Sequence, residues 1–142
     1  MSAIPTKLRA RAGGTAIVEA AVVLPLLLLL VFGALEYGWM FVVDGDIVNA
    51  ARQGARAAIT PSATLNTVTT QINTALQNAG LKPSDFNTPT ITPSNWSTAA
   101  SGTVVNVTVG IPYSKVSLTH FPLPVPTILQ VTVAMAKEGP SS

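Results

Sequence analysis

Residues 9–43 read "RARAGGTAIVEAAVVLPLLLLLVFGALEYGWMFVV", and how this stretch is read decides the fold. No charge occurs from Ala20 to Leu35, and from Ala20 to Val43 the only one is Glu36. At about 1.5 Å per residue that length makes a helix of roughly 36 Å, enough for a hydrocarbon core of about 30 Å. Lys7, Arg9 and Arg11 precede the run, whereas Glu36, Asp44 and Asp46 follow it. Cations beside a span stay in the cytoplasm, so the pattern predicts an N-terminus inside and everything beyond about residue 40 outside. Tyr37 and Trp39 suit the outer headgroup level. A cleaved secretory signal is the rival reading. Against it, the run exceeds an h-region of about 7–15 residues and no small-x-small site follows.

Working outward, residues 1–14 form a basic leader, 15–43 a transmembrane helix segment, and 44–142 an extracytoplasmic α+β domain that shares the first helix over 44–59. Pro25 sits inside the apolar run and removes one helical hydrogen bond, a kink position. Ala50, Gly54 and Ala58, with Ala51 and Ala55 beside them, make a row of small side chains on the continuing helix. That row fits either a close-packing ridge or a plain small face. Next, "ITPSATLNTVTTQINTALQNAG" predicts a second helix. Thr60 is its cap, Pro61 its first position, Leu65, Val68, Ile72 and Leu76 its apolar stripe, and Gly80 its end.

The period then changes to two. Val105, Val107, Val109 and Ile111 alternate with polar or small residues, as do Leu129, Val131, Val133 and Met135, which predicts two half-buried strands. "DFNTPTITPSNW" is a candidate third strand, confined to an edge by Pro89 and Pro93. The expected fold is therefore α+β and membrane-anchored. A long N-terminal transmembrane helix continues into a small domain with a second helix and an antiparallel sheet of two or three strands. The roughly 80 residues after residue 60 make a marginal core on their own, so the outer half of the first helix has to supply one wall.

Glu19 is the acid inside the apolar run, five residues past Gly14. A basic leader, a glycine, that spacing and a long apolar helix together resemble the signal of type IV prepilins. The resemblance implies that a membrane-embedded prepilin peptidase cuts between Gly14 and Thr15 on the cytoplasmic face. The cut frees an amine at Thr15, which Glu19 can meet in its own helix or in a neighbouring subunit during assembly. The plainer alternative has Glu19 reaching the interface and pairing with Arg11 or Lys7. The stretch also looks like the TadE-like family of minor pseudopilins of tight-adherence (Flp) pili. The shared features are Val18–Glu19, Leu24–Pro25, Glu36–Tyr37–Gly38 and an "AAR-x-GAR" helix from Ala51 to Arg56. Ala20 departs from that pattern, which often has an aromatic there. The resemblance implies a pilin-like outer domain, other pilins or pseudopilins, an inner-membrane assembly platform and membrane lipid as partners, and an inner-membrane protein that enters the extracellular pilus.

Arg52 and Arg56 share one helix face, either as contacts to partner carboxylates or as a solvated stripe. Phe121 and Leu123, in "HFPLPVP", make a second candidate partner surface unless that loop folds back over the sheet. Enzymatic chemistry is not expected. The chain has one histidine, His120, and no cysteine, too few groups for a convergent site. Asp44, Asp46 and Asn49 lack the ligand pattern of a calcium loop. Neither a cofactor nor a metal is expected. Three of the eight basic residues lie in the leader, leaving five against six acids beyond it, so there is no footprint for nucleic acid. The alternative of a different class is an unprocessed single-pass adaptor or sensor with an outward binding domain; a secreted soluble binding module is the third.

Overall fold

The computed structural model describes residues 11–120 and 123–139. Its elements are helix α1 (Arg11–Ala58), helix α2 (Leu65–Asn78), strands β1 (Thr90–Thr92), β2 (Val104–Pro112) and β3 (Ile128–Ala136), and two single 3-10 turns at Pro83–Asp85 and Tyr113–Lys115. All three strands are antiparallel, with β2 in the centre. The α+β architecture expected from the sequence is the one observed.

Helix α1 is a 48-residue rod with two different halves. From Gly14 to Val31 every residue is exposed, Phe32 and Gly33 are half-buried, and from Glu36 onward one side is covered by the rest of the chain. The bare stretch, Gly14 to Leu35 with only Phe32 and Gly33 partly covered, comes to about 33 Å. It ends eight residues before Val43, because the chain's own domain already packs against Glu36 and Val43. Helical structure also reaches back to Arg11, so the Gly14–Thr15 bond lies inside the first turns and not in an extended leader. Pro25 lies within α1, whose helical run is unbroken there.

The upper half of α1 forms the core with its small residues. Ala50, Ala51, Gly54, Ala55 and Ala58 are all buried, facing Val68, Ile72 and Leu76 of α2 and Val105, Val107, Val109 and Ile111 of β2. Gly54 marks the closest approach: a Cβ there would stand 2.5 Å from Ile72 Cγ1 and 3.4 Å from Val107 Cγ1. The row is thus a packing ridge, and alternation along β2 supplies the surface it meets. On the opposite face of the sheet, the Thr108 and Thr132 hydroxyls pair across β2 and β3 at 2.7 Å.

Helix α2 starts later than its sequence signals suggested. Thr60 Oγ1 donates back to the Ala57 carbonyl, finishing α1. Thr64 is the cap instead, its hydroxyl accepting from the Thr67 N–H. Leu65 therefore falls at the first, exposed turn, and Val68, Ile72 and Leu76 carry the stripe. Gly80 follows the helix at φ 77°, the left-handed conformation that suits glycine after a helix end. Strand β1 is short and at the edge, as its flanking prolines require.

Candidate functional site

The N-terminal constellation sits on the bare part of α1. Glu19 is exposed and lies one turn past Thr15, on the same helix side. No Cβ added at Gly14 would meet any atom within 4 Å, so the chain itself places no packing demand on that glycine.

A second acid organises the other end of the bare stretch. Glu36 is 1% exposed. Tyr113 Oη and Ser117 Oγ both donate to its Oε1 at 2.6 Å. The Thr119 N–H and Oγ1 donate to Oε2 at 2.8 and 2.7 Å. Each donor comes from the loop that leaves β2, so this one carboxylate holds the segment 113–119 against the helix. Burial alone would raise the Glu36 pKa, but the bonds from Ser117, Tyr113 and Thr119 outweigh it and hold the carboxyl well below the usual range. Burial and the carboxylate acceptor together push the Tyr113 phenol up. Two further bonds tie the same loop down: Tyr37 Oη donates to the Pro124 carbonyl at 2.8 Å, and Trp39 Nε1 to the Val116 carbonyl at 2.7 Å. His120 closes the turn at φ 52°, its N–H donating to Ser117 Oγ at 3.1 Å.

Sequence reasoning placed Glu36 in a motif but assigned it no partner. The signal was its position: an acid at the outer end of an apolar run needs donors, and Tyr113, Ser117 and Thr119 are spaced along one irregular segment. Its donors lie 77 to 83 residues away, a pairing that helix periodicity cannot reveal.

At the far end of α1, Lys137 is 5% exposed and donates from Nζ to the Thr60 and Ser97 carbonyls at 3.2 Å and to the Ala58 carbonyl at 3.5 Å. The ammonium also stands 5.7 Å from the Trp96 ring. A cation at a helix C-terminus satisfies carbonyls that have no amide partner.

Arg52 and Arg56 are exposed, on the side of α1 away from the small-residue ridge. Leu123 is half-buried, and Phe121 lies outside the described residues. Asp44, Asp46 and Asn49 lie on helical turns, and among the described residues no group of acids, histidines or cysteines could hold a metal. A cleft of about 590 Å³ in the loop that joins β2 to β3 is lined by Tyr113, Ser117, His120, Val125 and Ile128.

A bare apolar helix joined to a small α+β domain by a buried carboxylate has the architecture of a single-pass membrane protein. Residues 14–56 match the family described as TadE-like protein. The match covers α1 almost to its end and stops short of α2 and the sheet. No curated protein and no solved structure matches the chain.

Proposed function

We propose that the protein is a minor pilin-like subunit of a tight-adherence pilus, inserted in the inner membrane through α1 with its α+β domain outside. The observation that carries this reading is the TadE-like match over the leader boundary, the apolar helix and the small-residue ridge. In this reading the span is the bare stretch ending at Leu35, and Glu36 begins the outer domain. A prepilin peptidase cuts after Gly14. The helical start of α1 must unwind for that cut, and Gly13 and Gly14 lower the cost, each weakening a helix by about 1 kcal/mol relative to alanine. The freed amine of Thr15 then pairs with Glu19 in the same or an adjacent subunit. That offsets the penalty of a carboxylate in lipid, about 2.5–3.5 kcal/mol at mid-membrane and less near the edge. Arg52, Arg56 and the loop around Leu123 contact other subunits and the assembly platform.

The helical Gly14–Thr15 bond favours a second reading, an unprocessed single-pass adaptor. Intact mass of the protein from cells with and without the peptidase separates the two. A chain beginning at Thr15 only when the peptidase is present supports the pilin reading; retention of the leader in both cells counts against processing and favours the adaptor.

A further inference from the structure

We propose that the loop segment 113–120 is a lipid-contacting foot, which seats the domain on the bilayer surface nearest to it and buries Leu118 among the headgroups and upper acyl chains. The proposal rests on the membrane-anchor reading of α1 and goes beyond it, since it concerns a segment outside the helix.

Height along α1 is the first argument. Ser117 and Thr119 both bond to Glu36, so Leu118 between them is held at the level of the residue that directly follows the bare apolar stretch. Its side chain is nevertheless 54% exposed. If residues 14–35 fill the hydrocarbon, Leu118 stands at the hydrocarbon edge. Tyr37 and Trp39, side chains of the kind that settle at headgroup level, bond to this same loop.

Polar satisfaction is the second argument. Irregular backbone approaches lipid only where its hydrogen-bonding groups are satisfied. Pro124 and Pro126, just beyond the segment, have no N–H to satisfy. The Val116 and Pro124 carbonyls take bonds from Trp39 and Tyr37, and the Glu36 carboxylate accepts from four donors. The exposed Lys115 on the same loop can reach lipid phosphate.

The chain has no native cysteine, so single-cysteine variants of the full-length protein can carry one polarity-sensitive fluorophore each. Leu118→Cys tests the foot, Leu28→Cys reports the span, and Thr74→Cys on α2 reports water. In vesicles of phosphatidylcholine and phosphatidylglycerol, a shallow nitroxide lipid should quench the Leu118 label several-fold more than the Thr74 label, with a blue-shifted emission. A Leu118 label that behaves like Thr74 while the Leu28 label reads lipid overturns the foot and leaves the anchor standing. A Leu118 label shielded from both iodide and nitroxide lipid also overturns it, in favour of a protein partner. A Leu28 label that reads water removes the anchor and the foot together.

Discussion

Replacing Glu36 by glutamine keeps the side-chain volume and removes the charge, which isolates what the carboxylate contributes. Four donors converge on it, all at 2.6 to 2.8 Å. An amide has one oxygen, and the Thr119 N–H, which cannot rotate, claims it. Tyr113 and Ser117 are then left facing an NH2 group. Bonds to a charged acceptor contribute about 1.5–3 kcal/mol each and neutral ones about 0.5–1.5, so the swap costs about 3 kcal/mol once relief of the buried charge is credited. The depressed pKa fixes the direction, because a site that lowers a carboxyl's pKa prefers the ionised form. Hydrogen exchange on the full chain in detergent micelles should show the Thr119 amide exchanging on the order of 100-fold faster in Glu36→Gln. The same linkage gives a pH dependence. The folded pKa lies below the unfolded one, so the Glu36 contribution is complete above the ordinary carboxylate range. It is lost as pH falls through that range and below. Wild type should lose its protection of Thr119 as the solution is acidified, and the Gln variant should lack that component. Equal Thr119 protection in the two proteins at neutral pH would refute the reasoning.

Gly54→Ala places a Cβ against the buried Ile72 side chain and should lower stability by about 1–3 kcal/mol in urea unfolding. Gly45→Ala is the opposite case on the same helix: nothing stands within 4 Å, and the melting temperature should rise, reflecting up to about 1 kcal/mol of helix propensity. Lys137→Met removes the cation from the Ala58, Thr60 and Ser97 carbonyls and should cost about 2 kcal/mol in the same urea assay. Glu19→Gln should leave the domain's unfolding unchanged, since Glu19 is exposed, while filament yield by electron microscopy of sheared cells falls; full piliation would remove Glu19 from assembly.

What the sequence disclosed was periodic. The apolar run, the alternation of Val105, Val107, Val109 and Ile111, and the proline-bounded edge strand were readable because each leaves a local pattern. The start of α2 was misplaced because Thr60 and Thr64 are both competent caps, and the choice is made by the Ala57 carbonyl, which takes the Thr60 hydroxyl. The small residues at 50, 51, 54, 55 and 58 were visible, but their purpose depended on Ile72 and Val107, which only the fold brings opposite them. Glu36 was least legible. Its donors come from an irregular loop with no period to read, and the burial that makes the residue important arises only after β2 has packed on the helix.

Two fastenings at different heights make the domain and the helix a single lever. Glu36 holds the loop after β2 near the bare stretch, and Lys137, reached through β3, closes the far end of α1. Between them, the ridge around Gly54 leaves α2 and the sheet little freedom to slide. From Arg11 to Ala58 the helix is about 72 Å long, so any axial displacement of its bare half raises the domain by the same amount. If the chain serves in a pilus as proposed, moving α1 out of lipid would carry the loop segment 113–120 off the bilayer in the same stroke. The side chains at Leu118 and along 14–35 would lose their lipid together and need cover from neighbouring subunits together. Breaking the lower fastening by Glu36→Gln uncouples that motion while leaving the ridge intact. The Gln variant should therefore insert as well as wild type but release the loop from the helix, and Leu118 labels in the two proteins should differ in lipid quenching although the Leu28 labels agree.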